Sequence, residues 1–156
     1  PATKNKSHQD WLIKEIELRI KNKHYPKAIF LTHHHGDHTG AADLLKNHFN
    51  IPIYAHEKAA RHLDFKLDYL IKDEIFLYQE ISENMDAIYT PGHCNSHLIF
   101  HLKKSKTIIA GDMITDRGTI LIPPESLFSA DPLAISRRKA IGSAINSRFK
   151  AEFLHQ

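Results

Sequence analysis

The segment Thr32-His33-His34-His35-Gly36-Asp37-His38-Thr39-Gly40 crowds imidazoles and a carboxylate into one short stretch. In an extended chain, side chains two apart point the same way. His33 and His35 can therefore grip one ion from the same side. A turn at Gly36 redirects Asp37 and His38 toward a neighbouring position. His34 is out of phase and is expected to face away. Imidazole and carboxylate suit zinc at about 2.0–2.2 Å, and also iron or manganese. The plainer reading is a solvated histidine turn or the remnant of an affinity tag. Gly36 and Asp37 interrupt the run and an apolar strand precedes it, which argues against a tag. The chain holds 13 His, so spacing and not abundance has to carry the argument.

Two further positions share that placement. His93 follows the breaker pair Pro91-Gly92, and Asp112 follows Gly111. Taken singly each reads as a turn residue. Both follow apolar segments, however, and sites in α/β proteins gather in loops beyond strand ends.

Those strands must be placed next. Residues 8–23 read as an amphipathic helix, with Leu12, Ile16 and Ile20 on one stripe and Trp11 and Ile13 beside it. Residues 28–32 form a short apolar strand that runs straight into His33. A helix is expected over about 41–48, a strand over 52–55, and a helix over about 57–63. Residues 64–85 are poorly patterned apart from a strand at 75–78. Residues 87–90 form a strand, and 97–102 with 107–110 form a hairpin. A strand at 119–122, a loop from Pro123-Pro124 through Phe128, a helix at 132–147 and a last strand from Glu152 complete the reading. Strands and helices alternate around a hairpin, which predicts mixed sheets covered by helices in one α/β (α+β) domain over 1–156.

The three motifs together resemble the metallo-β-lactamase superfamily. THHHGDHTG at 32–40 is similar to its H-x-H-x-D-H signature, TPGHCNSH at 90–97 to its next block, and AGDMITDRGT at 110–119 to its Gly-Asp block. The resemblance covers nearly the whole chain and implies an αββα sandwich with two metal ions at one edge of the packed sheets. It implies His33, His35 and His93 on the first ion, Asp37 and His38 on the second, and Asp112 bridging both. Anionic Asp112 and a bridging hydroxide would offset the repulsion of two cations about 3.5–4 Å apart. Metal coordination lowers the pKa of water toward about 7, which provides a nucleophile at neutral pH. Asp37, between metal and solvent, is the expected proton handler, and Asp37 and Asp112 are the expected catalytic residues.

The chain departs from the family pattern at both ends. It opens at Pro1, close to the first helix, where relatives begin with further strands. Relatives also supply a last His near the C-terminus, and here either His155 or a residue beyond Gln156 fills that role. A partial domain is therefore expected, with an open sheet edge that a homo-oligomer would cover. Cys94 is expected to pack as a small hydrophobe. His97 is read either as holding a ligand in place or as structural. His56 is read as a surface or capping residue. Lys66 and Arg117 could meet an anionic substrate, though nothing in the sequence selects them.

The motifs most resemble the glyoxalase II and LACTB-2-like branches, so a hydrolase of a small ester, thioester, lactone or lactam, or of an RNA end or other phosphodiester, is expected. Two zinc ions are the expected cofactor, with iron or manganese as alternatives. A mononuclear iron sulfur dioxygenase held by His33, His93 and Asp112 is the second reading. A non-catalytic scaffold of the same fold is the third. The net charge of +3 is scattered and too small to select RNA. A single cysteine fits a reducing, cytoplasmic setting. No apolar run approaches the roughly 20 residues that span a bilayer.

Overall fold

The computed structural model describes residues 3–72, 75–80 and 82–113. The expected elements at 119–122, 123–128, 132–147 and 152–154, together with Arg117 and His155, lie outside the described residues.

The chain begins with α1 (Lys6–Lys21). Asn5 caps it, its side chain accepting from the amides of Ser7 and His8, which satisfies donors that a helix start leaves orphaned. Leu12, Ile13 and Ile16 pack on the core. Trp11, expected beside that stripe, is 64% exposed, so this flank of the helix faces solvent. After β1 (Ile29–Phe30) come the single turn α2 (Gly36–Thr39) and α3 (Ala42–Phe49). Asn50 ends α3 in the left-handed conformation, φ 51°, which asparagine tolerates better than most residues.

Two sheets follow. β1, β2 (Ile53–His56) and β3 (Tyr69–Ile71) run parallel in the order β1-β2-β3. β4 (Ile75–Tyr78), β5 (Met85–Tyr89), β6 (Leu98–Leu102) and β7 (Thr107–Ile109) form an antiparallel meander. Among the described residues, parallel and antiparallel pairing are therefore segregated between the two sheets. A long connection is needed to join parallel strands, and the helices and turns between β1 and β3 supply it.

Alternation along β1 and β2 assigns the faces. Ile29, Leu31, Ile53 and Ala55 meet Ala42, Leu45 and Ala59 under the helical layer. Phe30 and Tyr54 point the other way. Tyr54 and Ile71 join Tyr78, Met85, Ala87, Leu98 and Phe100 between the sheets. Phe30 stacks on Tyr54 at 4.6 Å and meets Phe100 edge-on at 5.7 Å. The layers are thus helix, sheet, sheet, as the αββα sandwich requires of its first three. β2 is central and covered on both faces, so all four of its residues are buried.

The segment after β2 is a 3-10 turn, Glu57–His62, in place of the expected α-helix. The side chain of His56 caps it, accepting from the Lys58 amide. His56 is 2% exposed and stacked on Tyr89 at 4.1 Å. The capping role expected of His56 is found, and the surface location is not.

Candidate metal centre

The three motifs lie at the C-terminal ends of β1, β5 and β7. The Leu98 amide donates to the Thr32 carbonyl at 2.7 Å, and the Thr90 amide to the His97 carbonyl at 2.9 Å. The first bond ties the end of β1 to the start of β6 across the two sheets. The second closes the loop that carries His93. Gly111 follows β7 with φ +52°, a conformation that glycine adopts without a Cβ penalty. It turns the chain so that Asp112 faces the histidines.

His33 Nε2 lies 3.1 Å from His35 Nδ1, and His93 Nε2 lies 2.8 Å from the same His35 nitrogen. Asp112 Oδ2 is 3.4 Å from His93 Nε2 and 3.9 Å from His33 Nε2. One ligand atom from each of the four residues falls within 4.8 Å of all the others. A tetrahedral site with bonds of about 2.0–2.1 Å holds its ligand atoms about 3.3 Å apart. The spacing therefore suits one small divalent cation. Hydrogen bonding alone does not account for it, because the single Nδ1 of His35 faces two imidazole nitrogens and one ring nitrogen cannot satisfy both contacts.

The other oxygen of Asp112, Oδ1, lies 3.2 Å from His38 Nε2, which is in turn 3.5 Å from Asp37 Oδ2. Asp37 and His38 reach this second position because α2 begins at Gly36 and swings them away from His33 and His35. A Cβ at Gly36 would meet nothing within 4 Å, so crowding does not demand glycine there. One carboxylate thus faces two ligand groups, one per oxygen.

Electrostatics favours neutral imidazoles. Burial, reinforced by the neighbouring histidines, pushes His33 down to about 2. Burial and His93 also lower His35, against the opposing pull of Asp37 and Asp112. Unprotonated rings keep the lone pairs a cation needs. The Nδ1 of His33 lies 3.1 Å from Thr32 Oγ1, which orients the ring and leaves Nε2 for the cluster.

The surrounding residues sort clearly. His97 is fully buried, with Nδ1 3.1 Å from Thr90 Oγ1 and its ring stacked 5.1 Å from that of His33. Burial lowers it to about 3. Its Nε2 has no hydrogen-bond partner among the described residues. Cys94 is buried with Sγ 3.6 Å from Ser96 Oγ, and burial raises its thiol pKa. It therefore packs as expected and is no ready nucleophile. His34 turns out of the cluster as its phase required, yet it is engaged. Its Nδ1 is 2.7 Å from Ser96 Oγ, and its ring stacks on His62 at 4.1 Å. Sequence reasoning missed His62 and Ser96, because no spacing rule links 34, 62 and 96. Lys66 sits in the loop joined to α3 through Lys46, and no described contact brings it to the cluster.

A family model for the metallo-beta-lactamase superfamily matches residues 24–150. The probable metallo-hydrolase YybB of Bacillus subtilis (strain 168) is 34% identical over 118 residues, 68% of this chain and 54% of that protein. A hydroxyacylglutathione hydrolase of Francisella tularensis subsp. novicida (strain U112) is 32% identical over 111 residues, 70% of this chain and 42% of that protein. The chain spans about half the length of these curated relatives. Among solved structures, TTHA1623 in a di-iron-bound form superposes with a TM-score of 0.56 at 23% identity, covering 80% of this chain and 69% of that one.

Proposed function

Since this chain belongs to the metallo-beta-lactamase superfamily, we propose that it is the metal-binding part of a hydrolase that uses two divalent cations. His33, His35 and His93 would hold the first ion, Asp37 and His38 the second, and Asp112 would join them. The observation that carries this reading is the split of Asp112, with Oδ2 toward His93 and Oδ1 toward His38. A bound cation pair supplies Lewis acidity toward a carbonyl or phosphoryl oxygen and a water acidified to about pKa 7.

The chain's own groups do the rest. Buried His33 stays neutral and keeps its lone pair directed at the site. Asp112 brings negative charge where two cations would otherwise repel. The Asp37 side chain is 67% exposed, so it stands between the cluster and solvent and can pass a proton to a leaving group. Zinc suits the nitrogen-rich donor set, and the di-iron form of a structural relative keeps iron in view. The name of the Francisella relative favours an acyl conjugate of a thiol, so a small ester or thioester ranks ahead of an RNA end. No helix among the described residues is long and apolar enough to cross a membrane. A cytoplasmic setting and self-association remain part of the proposal.

The single-iron dioxygenase reading uses His33, His93 and Asp112. It leaves the close approach of His35 to both histidines, and of His38 to Asp112, without a role. The scaffold reading leaves the whole convergence without one. A panel of ester, thioester, lactone, β-lactam and phosphodiester substrates tests the proposal in zinc-loaded protein. Hydrolysis that is abolished by chelation and by Asp112→Ala is expected. Oxygen uptake with one iron per chain supports the dioxygenase instead.

A further inference from the structure

We propose that Arg61 is a specificity-determining residue, which holds an anionic substituent of the substrate, carboxylate or phosphate, at the mouth of the metal centre. This rests on the hydrolase reading above. Arg61 and His62 close the 3-10 turn after β2, and Arg61 Nε donates to His62 Nε2 at 3.0 Å. That bond occupies the one donor at Nε and leaves both terminal nitrogens of the guanidinium. No carboxylate among the described residues pairs with them. Glu57, on the same turn, makes no ion pair with Arg61.

Arg61 and His62 are both exposed, yet contacts run from them to the cluster. The His62 ring lies flat on that of His34, 4.1 Å away with 15° between planes. His34 is held by Ser96, in the loop that carries His93, and meets the edge of His35 at 5.0 Å. A short series of contacts therefore fixes the guanidinium to the wall of the metal centre.

A planar guanidinium with two free terminal nitrogens matches the two oxygens of a carboxylate or phosphate. A substrate whose reacting bond sits at the cluster, and which extends toward the 3-10 turn, would place its far end against this fork. A neutral substrate of the same shape gains nothing there. The discrimination is then a difference in binding between the two, and added salt narrows it.

The test uses zinc-loaded protein and three matched substrates: 4-nitrophenyl hemiglutarate, its neutral methyl ester, and an analogue carrying a phosphate monoester in place of the carboxylate. The readout is the ratio of kcat/KM for each anionic substrate to that for the neutral one. Arg61→Gln is expected to lower that ratio about tenfold through KM, and Arg61→Lys by less, because lysine keeps the charge and loses the fork. The anionic substrate with the larger fall identifies the preferred group. Monomethyl glutarate is titrated calorimetrically into the same proteins, so a protein that turns over neither ester still decides the point. About tenfold weaker binding in Arg61→Gln is expected. Unchanged ratios on both anionic substrates, or monomethyl glutarate binding that is equal in the two proteins or undetectable in wild type, overturn the proposal. Arg61-dependent binding without turnover supports Arg61 as the anion site and counts against ester hydrolysis by this protein.

Discussion

The ring of His97 occupies the space that a side chain on Gly111 would need: a Cβ built there falls 2.8 Å from His97 Nε2. The same Cβ would lie 3.0 Å from Thr32 Cβ. Glycine is thus required twice over, for its φ of +52° and for the close approach of the loop that carries Asp112.

Gly111→Ala is accordingly expected to destabilise the protein by about 1–3 kcal/mol, from left-handed strain and the clash. It should also reduce zinc bound per chain, because Asp112 is displaced. Urea denaturation and metal analysis check both. The cost should shrink in a His97→Ala background, where the opposing ring is gone. Equal costs in the two backgrounds would show that the contact is not the cause.

Tyr89 joins three segments around the site. Its hydroxyl donates to the Asn95 carbonyl at 2.9 Å and accepts from Lys58 Nζ at 2.9 Å, while its ring stacks on His56. Tyr89→Phe keeps the ring and removes both hydrogen bonds. A loss of about 1 kcal/mol per bond, smaller for the exposed lysine, is expected in chemical denaturation. No loss would mean that the bridge from the 3-10 turn to the His93 loop does not form in solution.

Acid should destabilise the metal-free protein in a defined window. Burial, then Lys58, holds His56 down to about 4 from an ordinary value of 6.5. In that interval the unfolded chain takes up a proton that the folded chain refuses. Stability is therefore full above about pH 6.5, falls as pH drops toward 4, and levels below it. The slope inside the window is at most about 1.4 kcal/mol for each pH unit crossed. His56→Phe should flatten this slope while losing the cap on the 3-10 turn, a cost of about 1 kcal/mol. Denaturation midpoints at pH 7, 5.5 and 4.5 measure it. An unchanged slope would place the acid sensitivity elsewhere, for example on His34 or His97.

Much of this was legible in the residues. Short apolar runs placed β1 and β2, and the breakers Pro91-Gly92 and Gly111 marked where β5 and β7 end. His33 and His35 share a side because extended backbone puts them there, and the structure brings His93 and Asp112 to them. β3 was missed because its apolar run, Tyr69-Leu70-Ile71, is only three residues long between Asp68 and Lys72, too short to show a period. The burial of His56 follows from the central place of β2 and its contact with Tyr89, neither of which a local pattern encodes. Arg61 and His62 looked like ordinary charged residues at a helix end. Only the tertiary contact of the 3-10 turn with His34 gives them a place beside the cluster.

Residues from three strand ends are proposed to hold two divalent cations jointly. The direct measurement is zinc bound per chain after equilibrium dialysis of the purified protein, followed by elemental analysis. Two ions are predicted for the unaltered chain. Asp112→Ala, which removes the carboxylate shared by both positions, is predicted to bring the value to one or below. A chain that binds no zinc, or that binds as much after His33, His35 and His93 are all replaced by alanine, would contradict the account.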